Sequence, residues 1–243
     1  MNYNWNWGIF FEPSPDGAGT YLDMLLSGVK WTLATAAVAW GIALLMGSVI
    51  GVMRTLPAKT PNRIGIVYVE LFRNVPLLVQ LFLWFFVVPE LLPSAAGLWL
   101  KHLPNASFWT AAVGIGFYMS ARVAEQVRAG IQAVPRGQAM AGTALGLTTV
   151  QIYRYVLLPM AYRIILPPLS SEFLNTIKNT AVALTIGLVE LTGSARSMQE
   201  FSFQVFEAFI AATAFYLLIN AVVVIGMTMI ERRVAVPGYT KSR

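Results

Sequence analysis

Arg136-Gly137-Gln138-Ala139-Met140-Ala141-Gly142-Thr143-Ala144-Leu145-Gly146-Leu147, followed after eight residues by Val156-Leu157-Leu158-Pro159, lies between two apolar segments of membrane-spanning length. Pro135 and Gly137 break the helix that precedes it. Residues 138–145 are small or favour helix, and Gly146 stands where a helix ends in a left-handed residue. Thr148 or Thr149 can cap a second short helix over 150–157, which Pro159 limits. Two short helices joined at a glycine make a compact protrusion, flanked by Arg136 and Arg154. Small side chains at Ala139, Ala141 and Gly142 let another surface approach closely. Read alone, the pattern fits a docking surface or an ordinary loop with two amphipathic turns.

The chain around it is 57% hydrophobic and only 12% charged over 243 residues. A soluble domain carries about a quarter charged residues, so composition alone assigns a membrane protein. There are no cysteines and one histidine, His102. Disulfides, thiolate metal sites and a histidine-rich metal site are therefore excluded. The formal charge is +6, but the basic residues sit at the ends of apolar segments and leave no stripe for nucleic acid. Residues 1–15 lack Lys, Arg and an apolar run, so no cleavable signal peptide is expected.

About 20 apolar residues cross about 30 Å of hydrocarbon. Five stretches qualify: 31–53, 64–89, 108 onward through Arg122, Glu125 and Arg128, 164–188, and 208–230. Thr20 and Asp23 have capping-box spacing ahead of Leu22, Leu25, Leu26 and Val29, which predicts a short interfacial helix before the first span. The expected fold is all-α, one polytopic domain over 31–230. An outer arm and interfacial helix precede it at 1–30, and an inner tail follows at 231–243. No internal repeat divides the chain.

Arg and Lys in short loops mark the cytoplasm. Arg54, Lys59 and Arg63 follow the first span; Arg128, Arg136 and Arg154 follow the third; Arg232, Arg233, Lys241 and Arg243 end the chain. The opposite loops carry only Lys101 and Arg196. The N-terminus is expected outside and the C-terminus inside.

Two further stretches place polar groups within spans. In Glu70-Leu71-Phe72-Arg73-Asn74-Val75-Pro76-Leu77-Leu78-Val79-Gln80, the proline kinks the second span and Asn74 can satisfy freed backbone groups. Glu70 and Arg73 are three apart and can pair. In Glu172-Phe173-Leu174-Asn175-Thr176-Ile177-Lys178-Asn179-Thr180, a lysine inside a span is a functional hypothesis by default. Lys178, Asn179, Thr180, Asn74 and Gln80 are the candidate path residues. The alternative is structural: Lys178 bonds carbonyls of a neighbouring helix, and Glu70 and Arg73 form an interfacial pair. Gly47 and Gly51 allow close helix packing, though the pattern is common. Trp84, Phe85, Phe86, Trp99 and Trp109 fit an aromatic belt at the outer face, with a substrate gate as the alternative. Glu125 is expected to pair with Arg122 or Arg128. No phosphate-binding glycine loop and no catalytic set occurs, so the chain should neither bind ATP nor act as an enzyme.

The protrusion resembles the EAA loop of permease subunits of bacterial ABC importers: Glu-Ala-Ala, three residues, Gly, nine residues, Ile-x-Leu-Pro. Gly146 and Pro159 fall at that spacing, while Met140-Ala141-Gly142 replaces Glu-Ala-Ala. Residues 70–80 resemble the Phe-Arg-Gly-Thr-Pro-Leu-Leu-Val-Gln segment of the polar amino-acid branch, with Asn74 for Gly. Residues 175–180 resemble its Asn-x-x-Lys-Asn-Thr. With Ala121-Arg122-Val123-Ala124-Glu125-Gln126-Val127-Arg128 and the opening Trp5-Asn6-Trp7-Gly8-Ile9-Phe10, the chain is similar to permease subunits of glutamate/aspartate importers.

That resemblance implies a type I importer permease in the bacterial inner membrane. It implies a second, homologous permease subunit, two ATP-binding subunits and a periplasmic substrate-binding protein. The loop 136–159 would receive the ATPase stroke through Arg136, Gly137, Gln138, Met140, Ala141, Gly142, Gly146, Arg154 and Pro159. ATP and Mg would sit on the partner ATPase, with no cofactor or metal on this chain. The rival classes are a secondary transporter, which would show repeats and an ion site, and a channel, which would show a pore motif.

Overall fold

The structure is a computed structural model and describes residues 3–15, 17 and 19–234. The end of the predicted tail, with Lys241 and Arg243, lies outside the described residues. Among the described residues there is no strand, only an isolated bridge between Pro13 and Thr20. The helices are α1 (Tyr21–Met53), α2 (Lys59–Asn74), α3 (Leu77–Phe82), α4 (Val88–Leu91), α5 (Ser94–Lys101), α6 (Ala106–Ala133), α7 (Arg136–Ala144), α8 (Thr149–Ile152), α9 (Leu158–Asn179), α10 (Leu191–Ser202) and α11 (Val205–Val234).

The first helix differs from its expectation. The capping box is present, with the Thr20 N–H donating to Asp23 at 2.9 Å and the Asp23 N–H to Thr20 at 3.3 Å. No break follows it, so Leu22–Val29 belong to the same 33-residue helix as the span.

The second stretch departs further. α2 ends at Asn74, Val75 and Pro76 are extended, and α3 starts afresh. Pro76 has no N–H to continue the helix and restricts Val75 as well. The result is a broken pair rather than a kinked helix. By length and composition α1 and α11 can each cross a membrane, and α2 with Leu77–Leu91 makes a third if the pair is one span.

Two other prolines act through widened turns. The π-helical turns Leu83–Val87 and Tyr153–Leu157 each end one residue before a residue-proline pair, Val88-Pro89 and Leu158-Pro159. In each, the next N–H reaches back five residues, Val88 to Leu83 and Leu158 to Tyr153. The wider turn accommodates a ring that would otherwise meet the carbonyl four residues back. Pro159 therefore does not limit the second short helix; it sits in the first turn of α9.

The chain forms two compact units. The first takes its described residues from 1–39, 76–115 and 175–222. Leu25, Leu191, Ala195, Met198, Ala208 and Ala212 form its buried core with Ile9 and Tyr21. The N-terminal arm is fastened to α11: the Asn6 N–H donates to Glu207 at 2.7 Å, and the Tyr3 hydroxyl bonds both Gln204 and Glu207. Glu207 is fully buried there, and these donors satisfy it.

α10 was not foreseen. Its N-cap is Glu190, which accepts from the N–H of Gly193 at 2.9 Å and of Thr192 at 3.1 Å. The Tyr216 hydroxyl donates to the same carboxylate at 2.8 Å and Thr32 at 3.4 Å. Thr32 accepts from the Leu191 N–H at 3.1 Å. Glu190 is fully buried, and burial pushes its carboxyl above the usual range, opposed by the donors around it.

The second unit takes residues 40–75, 116–174 and 223–234 among those described. α1 meets α6 there through Gly47 and Gly51. A Cβ on Gly47 would lie 2.7 Å from the Ser120 carbonyl oxygen, and one on Gly51 2.8 Å from that of Ala124. The glycine pair thus serves contact within the chain, where only a hydrogen allows the backbones this close.

Candidate coupling surface and transport path

The protrusion is built as its sequence directs, with adjusted ends. α7 begins at Arg136, with Pro135 at its N-cap, and Gly137 lies inside it instead of breaking the preceding helix. Gly146 has φ +79°, the left-handed region that favours glycine. The Gly146 N–H donates to Thr143 at 2.9 Å and the Leu147 N–H to Gly142 at 3.0 Å. These are the two bonds of a Schellman turn. Thr148 then caps α8 in a full capping box with Gln151.

Inside the protrusion Gly142 is buried under Ile152, whose Cγ1 would lie 3.2 Å from an added Cβ. Gly142 thus makes room for α8, not for a partner. The Tyr153 hydroxyl donates to the Thr55 carbonyl at 2.9 Å, which ties the protrusion to the chain after α1. Outward the surface is apolar: Met140, Leu145, Val150 and Tyr155 are all more than 60% exposed. Arg136, Gly137, Ala141, Gly146, Arg154 and Pro159 are exposed too, and Gln138 is half-buried. Arg154 lies over the Tyr155 ring at 5.6 Å. An exposed apolar cluster edged by arginines has the composition of a candidate contact surface.

The candidate path residues divide by unit. In the first, Lys178 is exposed in the last turn of α9, just before the chain tightens into a 3-10 segment. Among the described residues no ion pair or hydrogen bond reaches it. Thr180 is buried, and its hydroxyl donates to Ile177 at 2.8 Å. Asn179 is half-buried, and Gln80 is 4% exposed. The fourth predicted span ends as a 3-10 segment, Thr180–Ile186, closed by Gly187. Trp84, Phe85, Phe86 and Trp109 share a cavity of about 350 Å³ with Lys101 and Glu90, themselves paired at 2.5 Å; Trp99 does not line it.

In the second unit Asn74 is exposed and donates to Glu70 at 2.8 Å. Glu70 does not pair with Arg73 as its spacing suggested. Arg73 instead reaches Glu125 at 3.4 Å. Glu125 also accepts from Arg54 and, at 2.9 Å, from Arg128. Its expected pairing with Arg128 is present. Arg122 turns to Tyr118 at 3.3 Å and Glu172 at 3.9 Å. Sequence spacing found the Glu125–Arg128 neighbours on α6, was wrong for Glu70 and Arg73 on α2, and missed the pairs that cross between helices.

Residues 31–236 match the family described as binding-protein-dependent transport system inner membrane component. The chain is 49% identical over 241 residues to the glutamate/aspartate import permease protein GltJ of Escherichia coli K12, with 98% of each protein covered. It is 33% identical to the probable glutamine ABC transporter permease protein GlnM of Bacillus subtilis, covering 87% of this chain and 93% of that protein. The crystal structure of an amino acid ABC transporter with histidines superposes with TM-score 0.74 at 33% identity, covering 88% of this chain and 95% of that one. The protrusion, the all-helical fold and these likenesses converge: the chain belongs to the inner-membrane components of binding-protein-dependent transport systems.

Proposed function

We propose that this chain is a translocating subunit of an ATP-driven importer of acidic amino acids, glutamate and aspartate. The observation that carries the importer mechanism is the protrusion of α7 and α8. Its apolar, exposed face is held where the two helices meet, by the Schellman turn that ends α7 and the capping box that starts α8, as a surface that transmits a stroke requires. ATP hydrolysis belongs to separate subunits, two of them, which hold ATP and Mg. A periplasmic binding protein delivers substrate, and a second, homologous permease subunit completes the pathway. The 49% identity to GltJ supports the acidic substrate class.

The chain crosses the inner membrane five times in this reading: by α1, by the broken pair from α2 to α4, by α6, by α9 with its 3-10 extension, and by α11. The N-terminus lies in the periplasm and the tail in the cytoplasm, as the arginine and lysine distribution supports. Switching requires inward- and outward-facing states whose balance ATP and loaded binding protein shift.

The test of function is uptake by vesicles containing all the subunits, with ion gradients collapsed by ionophores. Glutamate uptake that needs ATP and binding protein is expected; gradient-driven uptake without ATP would make the chain a secondary transporter. The test of orientation places cysteines at Pro15 and Ser242. An impermeant reagent should label only the first in spheroplasts, and labelling of the second alone would reverse the topology.

A further inference from the structure

We infer that the exposed polar face at the end of α2, formed by Glu70, Arg73 and Asn74, is a docking point for the α-amino and α-carboxylate groups of the transported amino acid. The inference deepens the transport reading above.

The first observation is a surplus of charge. Three guanidiniums, Arg54, Arg73 and Arg128, surround the single carboxylate of Glu125. Arg128 binds one oxygen through both Nε, at 3.0 Å, and Nη2, at 2.9 Å. Arg54 is nine-tenths buried and bonds the other oxygen. These two satisfy Glu125. Arg73 stands beside it at 3.4 Å and, among the described residues, makes no hydrogen bond. Its side chain is 50% exposed. The planar fork of an arginine, held by charge yet uncommitted in its donors, suits a carboxylate.

The second observation concerns the same helix face. Glu70 is exposed, three residues before Arg73, and the two are not within ion-pair distance. Asn74 donates to Glu70 and so fixes that carboxylate. One exposed face therefore presents a fixed anion and an open cation that do not neutralise each other. A zwitterionic α-amino acid offers the complementary pair.

The third observation is the sector this face occupies. Ile64, Val67 and Leu71 form an exposed apolar stripe on α2, at the spacing of one helix face, and the exposed Ile66 lies between Glu70 and Arg73 on the polar face. Gly65 and Val69 are buried on the remaining side. An apolar stripe suits lipid. Charged groups within a span face a cavity or a partner, because hydrocarbon solvates them poorly. Arg73 would donate to the α-carboxylate, and Glu70 would accept from the ammonium.

The test uses the complete permease–ATPase complex without its binding protein. Binding of glutamate, glutamine and glutarate is measured for the parent, Arg73→Gln and Glu70→Gln. Glutarate keeps both carboxylates and lacks the amino group. Arg73→Gln should weaken glutamate and glutarate alike, by about tenfold or more, the loss of one charge-assisted bond. Glu70→Gln should weaken glutamate and leave glutarate unchanged or tighter. Co-purification of the ATPase subunits reports folding, and Arg73→Lys should recover part of the loss.

Parent-like binding in Arg73→Gln, or equal effects of Glu70→Gln on glutamate and glutarate, would overturn the inference. So would a parent complex that binds none of the three. If the parent prefers glutamine, the acidic-substrate reading fails, while the same variants, compared on glutamine, still decide the docking point.

Discussion

The Leu147 N–H donates to the Gly142 carbonyl at 3.0 Å, across the turn that Gly146 makes in the left-handed region. That bond sets the angle between α7 and α8, and with it the shape of the apolar surface they share. An L residue with a branched side chain at Gly146 costs roughly 1–2 kcal/mol locally. Gly146→Val should therefore lower uptake and loosen the ATPase subunits, while Gly146→Asn, tolerant of that conformation, should retain both. Gly146→Asp has the same backbone tolerance as Asn but adds charge to an apolar contact, so it should be made and inserted yet transport poorly. Normal uptake by Gly146→Asp at equal expression would remove the docking role.

Gly47 and Gly41 lie on the same helix in different surroundings. An added Cβ at Gly47 meets Val123 at 2.6 Å and the Ser120 carbonyl, while at Gly41 nothing lies within 4 Å. Gly47→Val should destabilise the purified complex by about 1–3 kcal/mol through overpacking of α1 on α6. Gly41→Ala should be neutral or stabilise by roughly 0.5–1 kcal/mol. Thermal unfolding of the two variants measures the contrast.

Lys178 is exposed without an ion-pair partner among the described residues. A carboxylate crossing a low-dielectric region needs such a charge. Lys178→Met should lower glutamate and aspartate uptake more than ATPase co-purification. Equal loss of both would assign Lys178 a structural role, and full uptake would take it off the path.

Glu190 gives a pH-dependent prediction. Burial raises its folded-state pKa above the ordinary glutamate range. Such a group favours the folded state when protonated. The contribution is full below the unfolded value and is lost as pH rises through the higher folded value. The stability of the parent relative to Glu190→Gln should therefore fall with rising pH across that window. A difference independent of pH would show that the carboxyl does not titrate there. Glu190→Ala, which deletes the cap of α10, should cost about 1 kcal/mol at low pH, and the cost should shrink as pH rises through the same window.

The sequence by itself determined the membrane class, the all-helical fold and the protrusion. These follow from local rules: apolar length, the reach of a capping hydroxyl, and the freedom of a glycine. Gly146 and Thr148 act where the sequence put them because each bonds backbone within a few residues. The tertiary structure decided what local spacing cannot encode. Arg73 leaves Glu70, its neighbour on α2, for Glu125 on α6, because the packing of α1, α2 and α6 gathers three arginines around one acid. Glu190 and Glu207 fall between the apolar stretches 164–188 and 208–230, yet each is fully buried, Glu190 with donors from Thr32 and Tyr216 and Glu207 with donors from Tyr3 and Asn6. Proline effects also divided this way. Pro76 ended a helix outright, while Pro89 and Pro159 were absorbed by widened turns, and only the backbone shows which outcome holds.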